Sequence, residues 1–200
     1  MYYYLVAQLP SLSYGDAVPM SPHSFRELCG TNLSPADARL LPYCTLNPWE
    51  GPPEEAAEPG FSEFVGPWRE WERALRLNLA RYRAARAKRE APAEVPEYPP
   101  DAAAAAKAAA AMDSPLEAEI FLDGVRWRVV ENFQGLDYFN RNTVYAYLLK
   151  LLLMERRSCF RAEEGFAEYR GLYAAVMGAA GAGGLSTAET SSSNESGEPK

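Results

Sequence analysis

The residues of this chain that could bind a metal or act as nucleophile and base are few: the single histidine His23 and the cysteines Cys29, Cys44 and Cys159. A structural zinc site takes four ligands, commonly with paired Cys-x-x-Cys spacing. His23, Cys29 and Cys44 would supply only three, without that spacing. We therefore expect Cys29 and Cys44 to be small buried hydrophobic residues and His23 to be exposed in the first turn of a helix. Nothing around His23 matches a nucleophile elbow or a cysteine-protease signature.

Two other patterns suggest chemistry at first sight. The glycine-rich stretch GAAGAGGLST, residues 178–187, imitates a phosphate-binding loop, but Gly184 stands where that loop needs lysine, and we expect neither a strand before it nor a helix after it. The acid pairs at 54–55 and 163–164 are sequence neighbours, which point away from one another on a helix. General acid and base catalysis needs two carboxylates that face one cleft. We therefore predict no enzyme, and no catalytic, cofactor-binding or metal-binding residue.

Composition and charge narrow the classes of partner. The 200 residues carry a formal net charge of −7, which argues against nucleic acid, because phosphate binding depends on clustered Lys and Arg. The longest apolar run, at 148–154, is too short to cross a bilayer. No Lys or Arg precedes Arg26, so the start does not resemble a signal peptide. With an odd number of cysteines, we expect a cytoplasmic protein without transmembrane insertion.

Serine followed by proline marks three helix starts, at 21–22, 34–35 and 114–115. Serine is a good N-cap, and proline at the first helical position loses no needed N–H. The first two predict a helical hairpin whose first helix stops at Gly30. The third begins a helix over 116–133, where Glu117 is placed to complete a capping box.

The N-terminal segment MYYYLV combines aromatic and β-branched residues, which favour an extended strand. We predict a short extended segment in which Tyr2, Tyr3 and Tyr4 form a buried N-terminal anchor.

One long helix is predicted over 61–90, where large apolar residues recur at steps of three and four. They are Phe64, Trp68, Trp71, Leu75, Leu79 and Tyr82. Arginines greatly outnumber acids toward its C-terminal end. Trp, Tyr and Arg are enriched at interface hot spots, so this basic and aromatic helix predicts contact with an acidic protein partner. The predicted interaction residues are Trp68, Arg69, Trp71, Arg73, Arg76, Tyr82 and Arg83. The alternative for Trp68 and Trp71 is that they fill the protein's own core.

The fold class that follows is mainly α, a helical bundle with one long basic and aromatic helix. The apolar run 142–160 predicts a core helix, and 163–177 continues at helical spacing. A Pro/Ala-rich connector around 91–113 includes an alanine stretch with little to bury, which predicts a surface helix or a partly disordered spacer. We predict one helical domain over 1–178 and a disordered tail over 179–200.

Three stretches resemble a known family: YYYLVAQLPSL at the start, then NTVYAYLLKLLLMERRSCF and EEGFAEYRGL near the end. They are similar to small uncharacterised bacterial proteins encoded with the subunits of V-type ATPases. Members look like short counterparts of the C subunit, also called d, a helical socket between the rotor shaft and the membrane ring. The connector, the alanine stretch and the tail lie outside the resemblance.

The resemblance implies a non-catalytic subunit of a V-type rotary ATPase or ATP synthase that couples the central stalk to the membrane ring in proton or other ion transport. Its location would be peripheral, on the cytoplasmic face of the inner membrane. We expect Tyr2, Tyr3 and Tyr4 to pack on the C-terminal helix that contains Tyr145, Leu148 and Leu152. We expect Arg69, Arg73 and Arg76 to face the shaft or another acidic subunit. The alternative function is a soluble helical adaptor or assembly factor.

Overall fold

The computed structural model describes residues 1–47, 63–92, 95–96, 98–160, 170–173 and 175–177. The chain divides into two compact units, residues 1–160 and 161–200. Within the second unit the described residues are helical, and Leu172, Tyr173, Val176 and Met177 are exposed. Residues 48–62, the glycine-rich motif and the tail lie outside the described residues.

The first unit is mainly α, as predicted, and its described residues contain no strand. Its helices are α1 (Tyr3–Ala7), α2 (Pro22–Asn32), α3 (Pro35–Ala38), α4 (Val65–Arg86), α5 (Pro100–Ala111), α6 (Pro115–Gln134) and α7 (Arg141–Ser158). A single 3₁₀ turn, Leu41–Tyr43, follows α3.

All three predicted serine caps are present. Ser21, Ser34 and Ser114 each accept a hydrogen bond from the backbone N–H three residues later, at 3.0, 3.2 and 3.3 Å. Helix α2 passes the predicted stop at Gly30 and ends at Asn32, since Gly30 keeps a helical backbone and only lacks a side chain there. Local capping chemistry therefore fixed where these helices begin better than where they end.

The N-terminal segment is helical, so the predicted extended strand is wrong. Residues Tyr3–Ala7 form one helical turn whose only fully buried side chain is Leu5. A strand needs a neighbouring strand to complete its hydrogen bonds, and the described part of this chain offers none. The turn supplies its own bonds instead, beginning with Val6 N–H to Tyr2 carbonyl at 2.9 Å.

The contacts between helices define the direction of each one in the bundle. Helices α4 and α5 run parallel, because Trp71 reaches Asp101 near both starts and Arg86 reaches the carbonyl of Ala110 near both ends. Between these helices, Pro96 lies beside the middle of α4, where Asn78 donates to its carbonyl at 3.0 Å.

Helix α6 is antiparallel to both α4 and α7. Arg126 meets Glu72 far along α6, whereas Glu119 near its start meets Arg83 and Arg156, which lie near the ends of α4 and α7. The N-terminal end of α4 therefore lies with the C-terminal end of α6 and the start of α7. The C-terminal end of α4 lies with the start of α6 and the end of α7.

The alanine stretch is a packed helix, which corrects the expectation of a surface helix or disordered spacer. Ala102, Ala105, Ala106 and Ala109 are buried, and α5 packs on α4 more extensively than any other pair of helices in the described chain. Because alanine is small, two helix backbones can approach closely. The van der Waals contacts between them compensate for the smaller side-chain area that alanine buries. The apolar run in α7 is buried along most of its length, as predicted.

Candidate interaction surfaces

The two tryptophans of the predicted interaction set belong to the core. Trp68 and Trp71 are 1% and 2% exposed, and their rings stack at 6.0 Å between centroids. The indole N–H of Trp71 donates to Asp101 on α5 at 2.9 Å, and that of Trp68 points to the carbonyl of Thr45 at 3.4 Å. Of the two alternatives for these residues, the structure selects the protein's own core, and neither ring is available to a partner.

Two of the predicted arginines are already paired with acids of this chain. Arg76 donates to Glu72 one turn before it at 2.8 Å and to the carbonyl of Leu46. Arg83 lies 3.4 Å from Glu119 on α6. A guanidinium held in this way has less of its charge to offer an acidic partner.

The remaining predicted interaction residues are more accessible. Arg69 is half-buried with its guanidinium 5.6 Å from the centre of the Tyr43 ring, and desolvation lowers its pKa. Arg73 is exposed and forms no ion pair with another described residue. Tyr82 is half-buried under the guanidinium of Arg81. The predicted set thus separates into core, internally paired and exposed members.

A buried charge network, which sequence reasoning missed, joins α4, α6 and α7. Arg126, 3% exposed, donates two hydrogen bonds of 3.0 Å to the carboxylate of Glu72 and one of 2.9 Å to Asp123. Arg156 on α7 donates to Glu119 at 2.6 Å and lies 3.6 Å from Asp123. The signal in the sequence was a charged residue on an otherwise apolar stripe, since Glu72 falls one helical turn after Trp68.

Burial and pairing act in opposite directions within this network. Desolvation alone would lower the pKa of Arg126, but Glu72 and Asp123 outweigh it and raise that pKa, so the guanidinium stays charged. Desolvation raises the pKa of Asp123, and the nearby Arg156 and Arg126 offset it only in part. One oxygen of Asp123 accepts no hydrogen bond within the described structure. The network therefore fixes which helix faces meet, while one of its acids is incompletely compensated.

The N-terminus is anchored by Tyr2 and Leu5, and not by the three predicted tyrosines as a set. Tyr2 is half-buried and its hydroxyl donates to Asp37, while its backbone N–H donates to the carbonyl of Phe139 at 2.6 Å. Leu5 is buried in the core. Tyr3 and Tyr4 are 56% and 75% exposed, because a helix turns consecutive side chains toward different sides, so their predicted burial is wrong.

Further exposed apolar residues lie in the loop that Tyr3 contacts, near the N-terminal end of α4. Gly135, at φ 72°, ends α6 with a conformation that favours glycine and turns the chain into the loop before α7. The ring of Phe139 in that loop lies 4.6 Å from the ring of Tyr3. We call the exposed large apolar residues at the start of the chain and in this loop the aromatic patch: Met1, Tyr3, Tyr4, Leu136, Tyr138 and Phe139.

The C-terminal end of α4 has a different character. The helix closes with bonds from Lys88 N–H to the Ala85 carbonyl at 3.2 Å and from Arg89 N–H to the Ala84 carbonyl at 2.9 Å. This is the Schellman arrangement, whose left-handed position is usually glycine. Here that position is Lys88, at φ 52°. We call the exposed residues Arg81, Lys88 and Arg89 the basic tip.

Two free-energy contributions to the stability of α4 can be compared at Lys88. A left-handed conformation costs a side-chain-bearing residue about 1–2 kcal/mol relative to glycine. A cation near a helix C-terminus returns about 0.3–1 kcal/mol at an exposed site. Stability of α4 alone would therefore favour glycine at this position.

His23, Cys29 and Cys44, the residues first considered for metal binding, do not form a common site. His23 is exposed and lies 3.4 Å from Glu27, whereas Cys29 and Cys44 are buried. Burial raises the pKa of Cys29 to about 12 and also raises that of Cys44. Among the described residues, no three His, Cys, Asp or Glu side chains are grouped so that they could hold a metal ion.

None of the helices in the described ranges combines the length and apolar character that a membrane span requires. The chain matches none of the protein-family models, curated proteins or solved structures with which it was compared.

Proposed function

We propose that this chain is a non-catalytic subunit of a V-type rotary ATPase or ATP synthase, where it couples the central stalk to the membrane ring. Its place would be peripheral, on the cytoplasmic face of the inner membrane, and its partners would be central-stalk and membrane-ring subunits. The proposal starts from the family resemblance, and the observation that carries it further is the aromatic patch.

The patch is formed where the start of the chain meets the loop between α6 and α7. The first resembling segment supplies α1, and the loop that completes the patch leads directly into the second. The hydroxyl of Tyr147, in the second segment, donates to the carbonyl of Pro10, in the first, at 2.9 Å. The first resembling stretch therefore supplies Tyr3 and Tyr4 of the aromatic patch, and the loop just before the second supplies Leu136, Tyr138 and Phe139.

Exposed aromatic side chains held on a hydrogen-bonded base suit protein recognition. Tyrosine and phenylalanine supply large contact areas with few rotatable bonds. Tyr2 and Phe139 are joined through their backbones, so little ordering is needed when a partner binds.

A coupling subunit must also resist deformation, since it transmits torque. The contact of Arg126 with Glu72 ties α4 to α6, and the contacts of Arg156 with Glu119 and Asp123 tie α7 to α6. Sliding one helix along another would separate these buried charges, which is energetically costly.

The test is co-purification of the tagged chain from its native membranes after gentle detergent, with the subunits identified by mass spectrometry. We expect central-stalk and ring subunits in constant ratio with the wild type. The triple variant Tyr4→Ser/Leu136→Ser/Tyr138→Ser should lose them. A matched control replaces three exposed apolar residues elsewhere, Tyr98→Ser/Leu172→Ser/Val176→Ser, and should retain them.

Recovery of no ATPase subunit with the wild type would overturn the proposal. The second candidate is a soluble helical adaptor or assembly factor that uses the same aromatic patch. The observation that favours it is that the patch is already exposed in the chain by itself. It predicts binding to unassembled subunits and absence from the finished, purified enzyme.

A further inference from the structure

The cations of α4 differ in whether this chain already neutralises them. Arg76, Arg83 and Arg86 face Glu72, Glu119 and Asp113, respectively. The residues of the basic tip are exposed and form no ion pair with any other described residue. The positive charge that remains available is therefore concentrated at the C-terminal end of α4, with Arg73 nearer its middle.

Lys88 adds a second, independent observation. It occupies the left-handed position of the helix cap, where glycine would remove backbone strain greater than the benefit of a cation at the helix dipole. Helix α6 places Gly135 where its own backbone turns to positive φ. Strain of this kind marks positions where a side chain serves something other than the stability of its helix.

The basic tip and the aromatic patch lie at opposite ends of the bundle. The loop of the patch joins α6 to α7 beside the start of α4, where the rings of Phe64 and Phe133 are 6.4 Å apart. The tip consists of Arg81 in the last two turns of α4 and of Lys88 and Arg89 just beyond it. Helix α4 spans 22 residues and is therefore about 33 Å long. Two proteins could thus bind the two surfaces without competing for the same space.

We propose that the basic tip, Arg81, Lys88 and Arg89, binds an acidic segment of a second protein, so that the chain bridges two partners. Three exposed cations on a chain of net charge −7 are complementary to a short acidic segment, whereas the rest of the surface repels a long polyanion. The bridge goes beyond the rotary ATPase assignment, and acidic-segment binding stands or falls independently of it.

The first test measures fluorescence anisotropy of a labelled peptide of alternating glutamate and alanine, about 20 residues long, in about 50 mM salt, where surface charges are weakly screened. The full chain should bind it. The variant Arg81→Gln/Lys88→Gln/Arg89→Gln should weaken binding about tenfold or more. The control Arg39→Gln/Lys107→Gln/Arg128→Gln removes three exposed cations from other helices and turns and should change affinity by less than about twofold.

Three outcomes would overturn the proposal. They are no binding of the peptide by the full chain, equal weakening by both triple variants, and tighter binding at the tip of a single-stranded oligonucleotide of the same charge. The last would replace the acidic protein with a nucleic acid. These three binding measurements do not depend on the ATPase co-purification. Either proposal can therefore be refuted while the other stands.

The second test uses Lys88→Gly, which removes strain and one charge together. We expect this variant to melt at a higher temperature than the wild type and yet to bind the acidic peptide more weakly. Lys88→Asn, which tolerates the left-handed conformation better than lysine, should show the same pair of changes. A lower melting temperature, or unchanged peptide affinity, would contradict the role assigned to Lys88.

Discussion

Asp37 shows how one carboxylate can hold together the end of the bundle that bears the aromatic patch. Tyr2 and Ser34 donate to it, and Arg141 lies 3.4 Å away. Partial burial alone would raise the pKa of Asp37, but these hydrogen bonds outweigh it and lower that pKa. Tyr145 donates to the backbone carbonyl of the same residue at 3.0 Å. The start of the chain, α3 and α7 therefore converge on a single residue.

We expect Asp37→Asn to reduce the free energy of unfolding at neutral pH by about 1–2 kcal/mol, since charge-assisted hydrogen bonds are lost. A carboxyl whose pKa is lower when folded than when unfolded stabilises the protein above its ordinary pKa, and loses that contribution as pH falls through the folded pKa. The difference between variant and wild type should therefore shrink below about pH 4. Urea unfolding at several pH values measures it, and a difference that stays constant to acid pH would contradict the assignment.

Arg126 is the residue on which the buried charge network depends. We expect Arg126→Met to destabilise the protein by about 3–5 kcal/mol, because Glu72 and Asp123 would remain buried without the guanidinium that pairs both of them. Glu72 would keep only Arg76, and Asp123 only the more distant Arg156. In a Glu72→Met background the same substitution should cost at least about 1 kcal/mol less. The measurement is a double-mutant cycle by denaturant unfolding. Additive losses would mean that the two residues are not coupled.

At the scale of the element, α5 shows why composition alone misplaced a helix. Its twelve residues are almost all alanine, so no apolar stripe distinguishes one face from another. The face is chosen by α4, which lies parallel and close enough for Ala102 and Ala106 to be completely buried. Helix α4 was predictable for the opposite reason, since its large apolar residues repeat at helical spacing and mark the buried side.

Substitutions in α5 test this packing directly. We expect Ala106→Leu to destabilise the protein by about 1–3 kcal/mol, because three extra carbon atoms must fit against α4. Ala104→Leu, two residues earlier on the exposed side, should change stability by less than about 0.5 kcal/mol. Thermal unfolding of the pair compares them at equal helix propensity. Equal effects would indicate that α5 does not pack as described.

At the scale of the whole molecule, the three cysteines report on the core that the helices enclose. Cys29 and Cys44 come from α2 and from the 3₁₀ turn region, yet both are fully buried in one hydrophobic core with residues of α4 and α7. Cys159 follows α7 and is exposed. Burial raises the pKa of Cys29 to about 12, so its thiolate is scarce at neutral pH.

We expect a disulfide reagent such as Ellman's reagent to modify one thiol rapidly in the native protein at about pH 8 and the other two only on unfolding. Cys159→Ser should abolish the fast reaction and leave the slow one unchanged. More than one fast equivalent in the wild type would show that the core around Cys29 and Cys44 is open.

The sequence determined the helical class, the three capped helix starts, and the buried stripes of α4 and α7. Each depends on interactions within a few residues, so spacing and capping residues reveal it. Tertiary structure decided what depends on distant neighbours. It placed Trp68 and Trp71 in the core, gave α1 a helical conformation, and selected the buried face of α5. It also paired Glu72 with Arg126, 54 positions apart, because only packing brings residues that far apart in sequence into contact.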